Sequence, residues 1–101
     1  MGSGKGKVMG MRVELRGKRW NLEAVEYLQD GSCGSIDAPD AVQKRILIAL
    51  NQTPQDLLDT VLHEGLHAAF PDIDEEAITE TATDLAKVLY RLGCRVVLDE
   101  L

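Results

Sequence analysis

TPQDLLDTVLHEGLHAAFP, residues 53–71, decides the reading of the chain. Thr53 is a hydroxyl residue suited to cap a helix, and Pro54 has the backbone angle that a first helical position needs. Asp56 places a negative charge in the first turn, where the helix dipole favours it. Pro71 lacks the N–H that a continuing helix requires. The stretch therefore predicts one helix from Pro54 to Ala69 or Phe70. At about 100° per residue, its apolar face centres on Leu58, Val61, Leu62 and Ala69, and His63 and His67 fall on the opposite side with Asp56 and Thr60.

Outward from this helix the elements follow in order. Asp72, with Glu75 three residues on, reads as a capping pair that opens a second helix. This helix runs to about Leu92, where Gly93 stops it, and its apolar stripe is Ile78, Ala82, Leu85, Leu89 and Leu92. Arg95–Leu98 reads as a short last strand. On the N-terminal side, the apolar run Arg45–Leu50 fits a buried strand. Residues 30–40 are rich in Gly, Ser, Asp and Pro and read as a loop. Arg19–Val25 is either a second strand or the start of a helix ending near Leu28. Arg16-Gly17-Lys18 is a turn, and Met11–Leu15 alternates with the period of a strand. Residues 1–10, rich in Gly and Lys, read as a flexible tail with the natural start at Met9 or Met11, and residues 11–101 as a single domain. The fold class is α+β, a small antiparallel or mixed sheet packed on two helices.

Composition narrows the function. The chain has 101 residues, enough for one modest core. It carries 17 acidic against 11 basic residues, a net charge of −6, which disfavours nucleic-acid binding. No apolar run is long enough to span a membrane, and no secretory leader is visible, so the expected location is cytoplasmic. The two cysteines, Cys33 and Cys94, have no CxxC partner and read as reduced thiols.

His63-Glu64-Gly65-Leu66-His67 carries the chemistry. Histidines four apart on a helix stand one turn above each other, so both imidazoles reach one metal. Zinc accepts such nitrogen ligands and keeps a position open for water when the site is catalytic. Glu64, next to the first ligand, is placed to take a proton from that water. The alternative for these residues is a solvated polar face, but the motif sits inside a capped helix and uses both histidines of the chain. Gly65 in mid-helix costs about 1 kcal/mol relative to Ala, which predicts packing against a neighbouring strand or a close approach of substrate.

With no third histidine, the remaining protein ligand is an acid: Asp72, Asp74, Glu75, Glu76 or Glu80. Antiparallel pairing of the two helices puts Glu76 level with His67 and Glu80 level with His63. Glu76 is therefore the expected ligand. Glu80 is the expected partner for the free nitrogen of His63. Acids at a helix start also occur for the dipole alone.

HEGLH followed by Glu76-Ala77-Ile78-Thr79-Glu80 resembles the gluzincin pattern of thermolysin-type metallopeptidases, in which a Glu-x-x-Ser-Asp stretch follows HExxH. By this resemblance Glu76 takes the place of the third zinc ligand and Glu80 that of the supporting acid. The Glu-Ala stretch is similar to that of ImmA/IrrE-type peptidases. In size the chain looks like the minigluzincins, and Asp74 to Gly93 looks like small phage-encoded HExxH proteins. The resemblance implies a zincin-like fold, a zinc cofactor, a peptide or protein substrate, and an edge strand above the cleft, for which residues 43–50 are the candidate. The gap from His67 to Glu76 is shorter than in thermolysin-type enzymes. The pattern's oxyanion-stabilising His has no counterpart either. Tyr90 lies too far along the helix to serve, leaving Tyr27 or an arginine.

The expectation is thus a zinc-dependent metallopeptidase with Glu64 as base. The alternatives are a non-catalytic zinc-binding structural protein, and a latent form whose cleft is covered by the chain start or by Asp99-Glu100-Leu101.

Overall fold

The computed structural model describes residues 4–38 and 40–98. It contains four strands, β1 (Gly4–Leu15), β2 (Lys18–Leu28), β3 (Gly34–Ile36) and β4 (Arg45–Ala49), and two helices, α1 (Pro54–Ala69) and α2 (Glu75–Arg91). The fold is α+β, as the sequence predicts. The four-stranded sheet is mixed and has the order β1-β2-β4-β3. β2 runs parallel to β4, while β1–β2 and β3–β4 are antiparallel.

Arg16 and Gly17 both have positive φ, 51° and 81°, which is the two-residue turn that matches the twist of a hairpin. A non-glycine residue at such an angle is strained. Arg16 offsets this by reaching α1: its Nη1 donates to the Ala69 carbonyl at 3.1 Å and its guanidinium lies over the Phe70 ring at 4.6 Å. A cation at the carbonyl end of a helix is favourable in any case.

Two expectations for the flanks fail. From Gly4 onward the expected tail is strand: Gly4 aligns with Leu28, and pairing continues through an irregularity between Lys7 and Met9. The partner strand is long enough to hold it, which composition alone does not reveal. Arg95–Leu98 is irregular rather than a strand. Val96 and Leu98 instead lie half-buried beside Met9, Met11 and Leu50, while Val97 is exposed. Residues 1–3 and Asp99-Glu100-Leu101, considered above as covers for the cleft, lie outside the described residues, as does Pro39.

Alternate positions of the central strands feed two clusters. Trp20, Ile46 and Ile48 meet Ala68 of α1, joined by Leu22, Leu57 and Val61. Val25, Leu28, Leu47 and Ala49 form the other. The Trp20 indole N–H is buried without a partner.

The helix ends show how the hairpin is set. Thr53 caps α1, its side chain accepting from the Asp56 N–H at 3.3 Å. α2 is capped by Asp74, which accepts from the Ala77 N–H at 2.7 Å, rather than by Asp72. The Ile73 N–H bonds back to the Phe70 carbonyl, so a turn occupies the residues between and delays the helix start. At the far end Gly93 has φ 92°. Its N–H bonds to Tyr90 and that of Cys94 to Leu89, the paired bonds of a left-handed helix stop.

α2 packs on α1 through Ile78, Ala82 and Ala86, all buried. Ile78 and Ala82 belong to the apolar stripe expected from the sequence, whereas Ala86 does not. Leu85 and Leu92 are exposed, Leu92 at 75%. Two alanines let the helix axes approach closely, and this face is about one residue round from the more apolar one.

Candidate metal centre

The rotation of α2 determines which acid lies beside the histidines. Glu75, Ile78, Ala82 and Ala86 recur at helical spacing, so Glu75 heads the face that meets α1. One of its carboxylate oxygens lies 2.6 Å from His67 Nε2 and the other 3.3 Å from His63 Nε2. The two imidazoles stand edge to face with centroids 4.7 Å apart. Donor atoms of His63, His67 and Glu75 all fall within 4.8 Å of one another, the one such group of three among the described residues.

The sequence points to Glu76 as the acid of this group; the structure brings Glu75 to the histidines instead. Glu76 is exposed and about 100° round the helix from Glu75, outside the group. Glu80, expected to bond His63, is exposed and forms no hydrogen bond or ion pair with either histidine. The signal that finds Glu75 is its spacing to Ile78 and Ala82, since the interhelical face, not the polar one, meets the histidines.

The donor set suits zinc. At bond lengths of about 2.0–2.1 Å, tetrahedral nitrogen and oxygen donors stand roughly 3.3 Å apart. The Glu75–His63 contact stands at this spacing, the Glu75–His67 contact, made by the other carboxylate oxygen, is shorter, and the three donor atoms of the group lie within 4.8 Å of one another. Asp74, another candidate ligand, has its carboxylate on the Ala77 N–H.

Glu64 lies beside this group with a different environment. It is only 9% exposed. Burial raises its carboxyl above the ordinary value; the nearby His63 and His67 pull it down and Glu75 pushes it up. β3 supplies the burial. A Cβ on Gly34 would stand 2.8 Å from the Thr60 Cγ2 and 2.9 Å from Glu64 Oε2, so only a glycine permits this approach. The strand is held at both ends. Arg45 donates through both its backbone N–H and its Nε to Asp37, each at 3.1 Å, and Gln52 Nε2 donates to the Cys33 carbonyl at 3.3 Å.

The strand beside the site is thus β3 and not residues 43–50, because β4 is flanked by β2 and β3 while β3 is the sheet edge. Thr60, expected on the polar face, is buried, and its hydroxyl donates to Gln52 Oε1 at 2.8 Å. Gly65 has nothing within 4 Å of a Cβ position, so close packing does not explain it. It borders an apolar groove of about 350 Å³ with Leu62, Leu66 and Leu15. Of the tyrosines, Tyr90 carries the Arg95 guanidinium on its ring at 3.8 Å, and Tyr27 is exposed on β2. No helix is long and apolar enough to cross a membrane among the described residues.

Comparison with known proteins gives no match: no family model, no curated protein and no solved structure matches the chain.

Proposed function

We propose that the chain is a zinc-dependent peptide hydrolase in which His63, His67 and Glu75 hold the metal and Glu64 is the general base. One observation carries this reading: a buried carboxylate stands beside a His/His/Glu group and beneath a sheet edge. Bound zinc supplies Lewis acidity, which polarises a carbonyl and acidifies water.

The chain's own residues do the rest. Glu64, whose carboxyl burial holds above its ordinary value, is the residue placed to accept a proton and return it to a leaving amine. Gly34 excludes water from one side of that carboxylate. The outer edge of β3 offers backbone groups to an extended peptide, the usual mode of strand addition. The resemblance to gluzincins supports the same chemistry, with the third ligand one residue earlier than the pattern implies. A structural zinc site would fill four positions with protein donors. Among the described residues the group holds three, and Asp74, which immediately precedes Glu75, is engaged in capping α2.

The test is elemental analysis of wild type and His67→Ala purified without added metal, followed by a peptide-cleavage screen with Glu64→Gln as control. About one zinc per chain, lost in His67→Ala, with cleavage by wild type alone, is the expected result. Equal cleavage by Glu64→Gln would remove the general-base role, and failure to take up zinc would remove the enzyme reading.

A further inference from the structure

From Glu64 a cleft of about 300 Å³ runs along α1 toward its N-terminus. One wall is Cys33 and Gly34 at the sheet edge. The other is the α1 face bearing Asp56, Asp59 and His63, spaced so that all lie on one side of the helix. Asp59 stands about 6 Å and Asp56 about 10 Å along the axis from His63.

The charge in this cleft is one-sided. Asp56, Asp59 and Glu64 line it, and no Lys or Arg does. Glu64 is nine-tenths buried, lines the cleft and has no hydrogen-bond partner among the described residues. Asp59 is fixed rather than loose: the Thr83 hydroxyl of α2 donates to its Oδ2 at 2.9 Å, which leaves the other oxygen for a ligand. Asp56 accepts no bond from a neighbouring side chain; its backbone N–H is what Thr53 caps. Uncompensated carboxylates in a partly enclosed cleft attract a cation more strongly than they would in open water.

We propose that this cleft is a subsite for a positively charged side chain, Lys or Arg, adjoining the peptide bond that is cut, and that Asp56 and Asp59 read it. This rests on the metallopeptidase reading, since the metal group fixes where the scissile bond lies. A substrate bound at His63, His67 and Glu75 places a neighbouring side chain at the mouth of the cleft. The distance to Asp59 suits a long side chain with a terminal charge. A short, acidic or purely apolar side chain leaves the aspartates unpaired or repelled.

A probe that needs no turnover separates the two readings. Lysine hydroxamate and norleucine hydroxamate have matching stems, and the same chelating group anchors both at zinc. Their affinities for the zinc-loaded full chain are measured by titration calorimetry. The expected result is a tenfold or greater preference for the lysine compound, collapsing to within twofold in Asp56→Asn/Asp59→Asn. Asn at position 59 keeps an oxygen for Thr83, and Asp56→Asn alone, on an exposed turn, gives a partial loss if the double variant folds poorly. Equal affinity of the two compounds for wild type, or an unchanged preference in both variants, overturns the subsite. Lysine preference without cleavage of any Lys- or Arg-containing peptide leaves the subsite standing and removes the peptidase reading. A chain that takes up no zinc binds neither probe, and both readings fall.

Discussion

Gly34 and Glu64 are in such close apposition that a single methyl group on the glycine would stand 2.9 Å from the carboxylate. The backbone of the sheet edge thereby limits how much water reaches the Glu64 carboxylate. Gly34→Ala should destabilise the protein by about 1–3 kcal/mol, the usual cost of overpacking. Because Thr60 on the helix is equally close, the side chain of Glu64 alone cannot relieve the clash. Urea unfolding checks the stability. A fall in kcat/KM with zinc affinity kept within a few-fold would show that the strand acts on Glu64 and not on the ligands.

The ligand assignment gives a paired comparison. Glu75→Ala should weaken zinc by at least ten- to a hundredfold, whereas Glu76→Ala should change it by less than about threefold. Competition with a chromophoric chelator measures both. Equal losses would mean that α2 sits in another rotation.

Glu64→Gln has a consequence beyond catalysis. A carboxyl whose folded value lies above its unfolded value keeps its proton in the native state over a window where the unfolded chain has released it. Stability contributed by that proton is present at low pH and is lost as pH rises toward the raised value. In metal-free protein the Gln variant should therefore be more stable than wild type at neutral pH, and the gap should close as the pH falls below the ordinary carboxyl range. Thermal melts across pH with chelator present test this, and a gap that widens on acidification would contradict it.

Gly65 is helical, has no neighbour within 4 Å of a Cβ position and borders an open groove. Gly65→Ala should then raise stability by about 0.5–1 kcal/mol, because the helix gains propensity at no steric cost. A destabilised variant would point to something that fills the groove in solution.

Much of this was legible in residues 53–93, because caps and breakers act locally. Thr53, Pro54, Pro71 and Gly93 mark ends that the structure keeps, and His63 and His67 lie together on one helix face. What escaped depends on rotation and on partners distant in sequence. Leu85 and Leu92 are more apolar than Ala86, yet close approach of two helices favours the smaller residue, and this brings Glu75 rather than Glu76 to the histidines of α1. Likewise, nothing local in Gly4–Gly10 signals a strand, because the pairing that makes it one comes from residues up to Leu28. The role of Gly34 was invisible for the same reason: its neighbour is 30 positions away in the chain, on another element.

The three donors belong to one helical hairpin, whereas the burial of Glu64 is completed by β3 from far upstream. The His/His/Glu group therefore has low contact order and closes a short loop, while the environment of Glu64 requires a long-range loop closure with a larger entropic cost. Partial unfolding that frays the sheet edge would leave these three side chains together but expose the Glu64 carboxylate, so the two parts of the candidate site are separable along the folding coordinate.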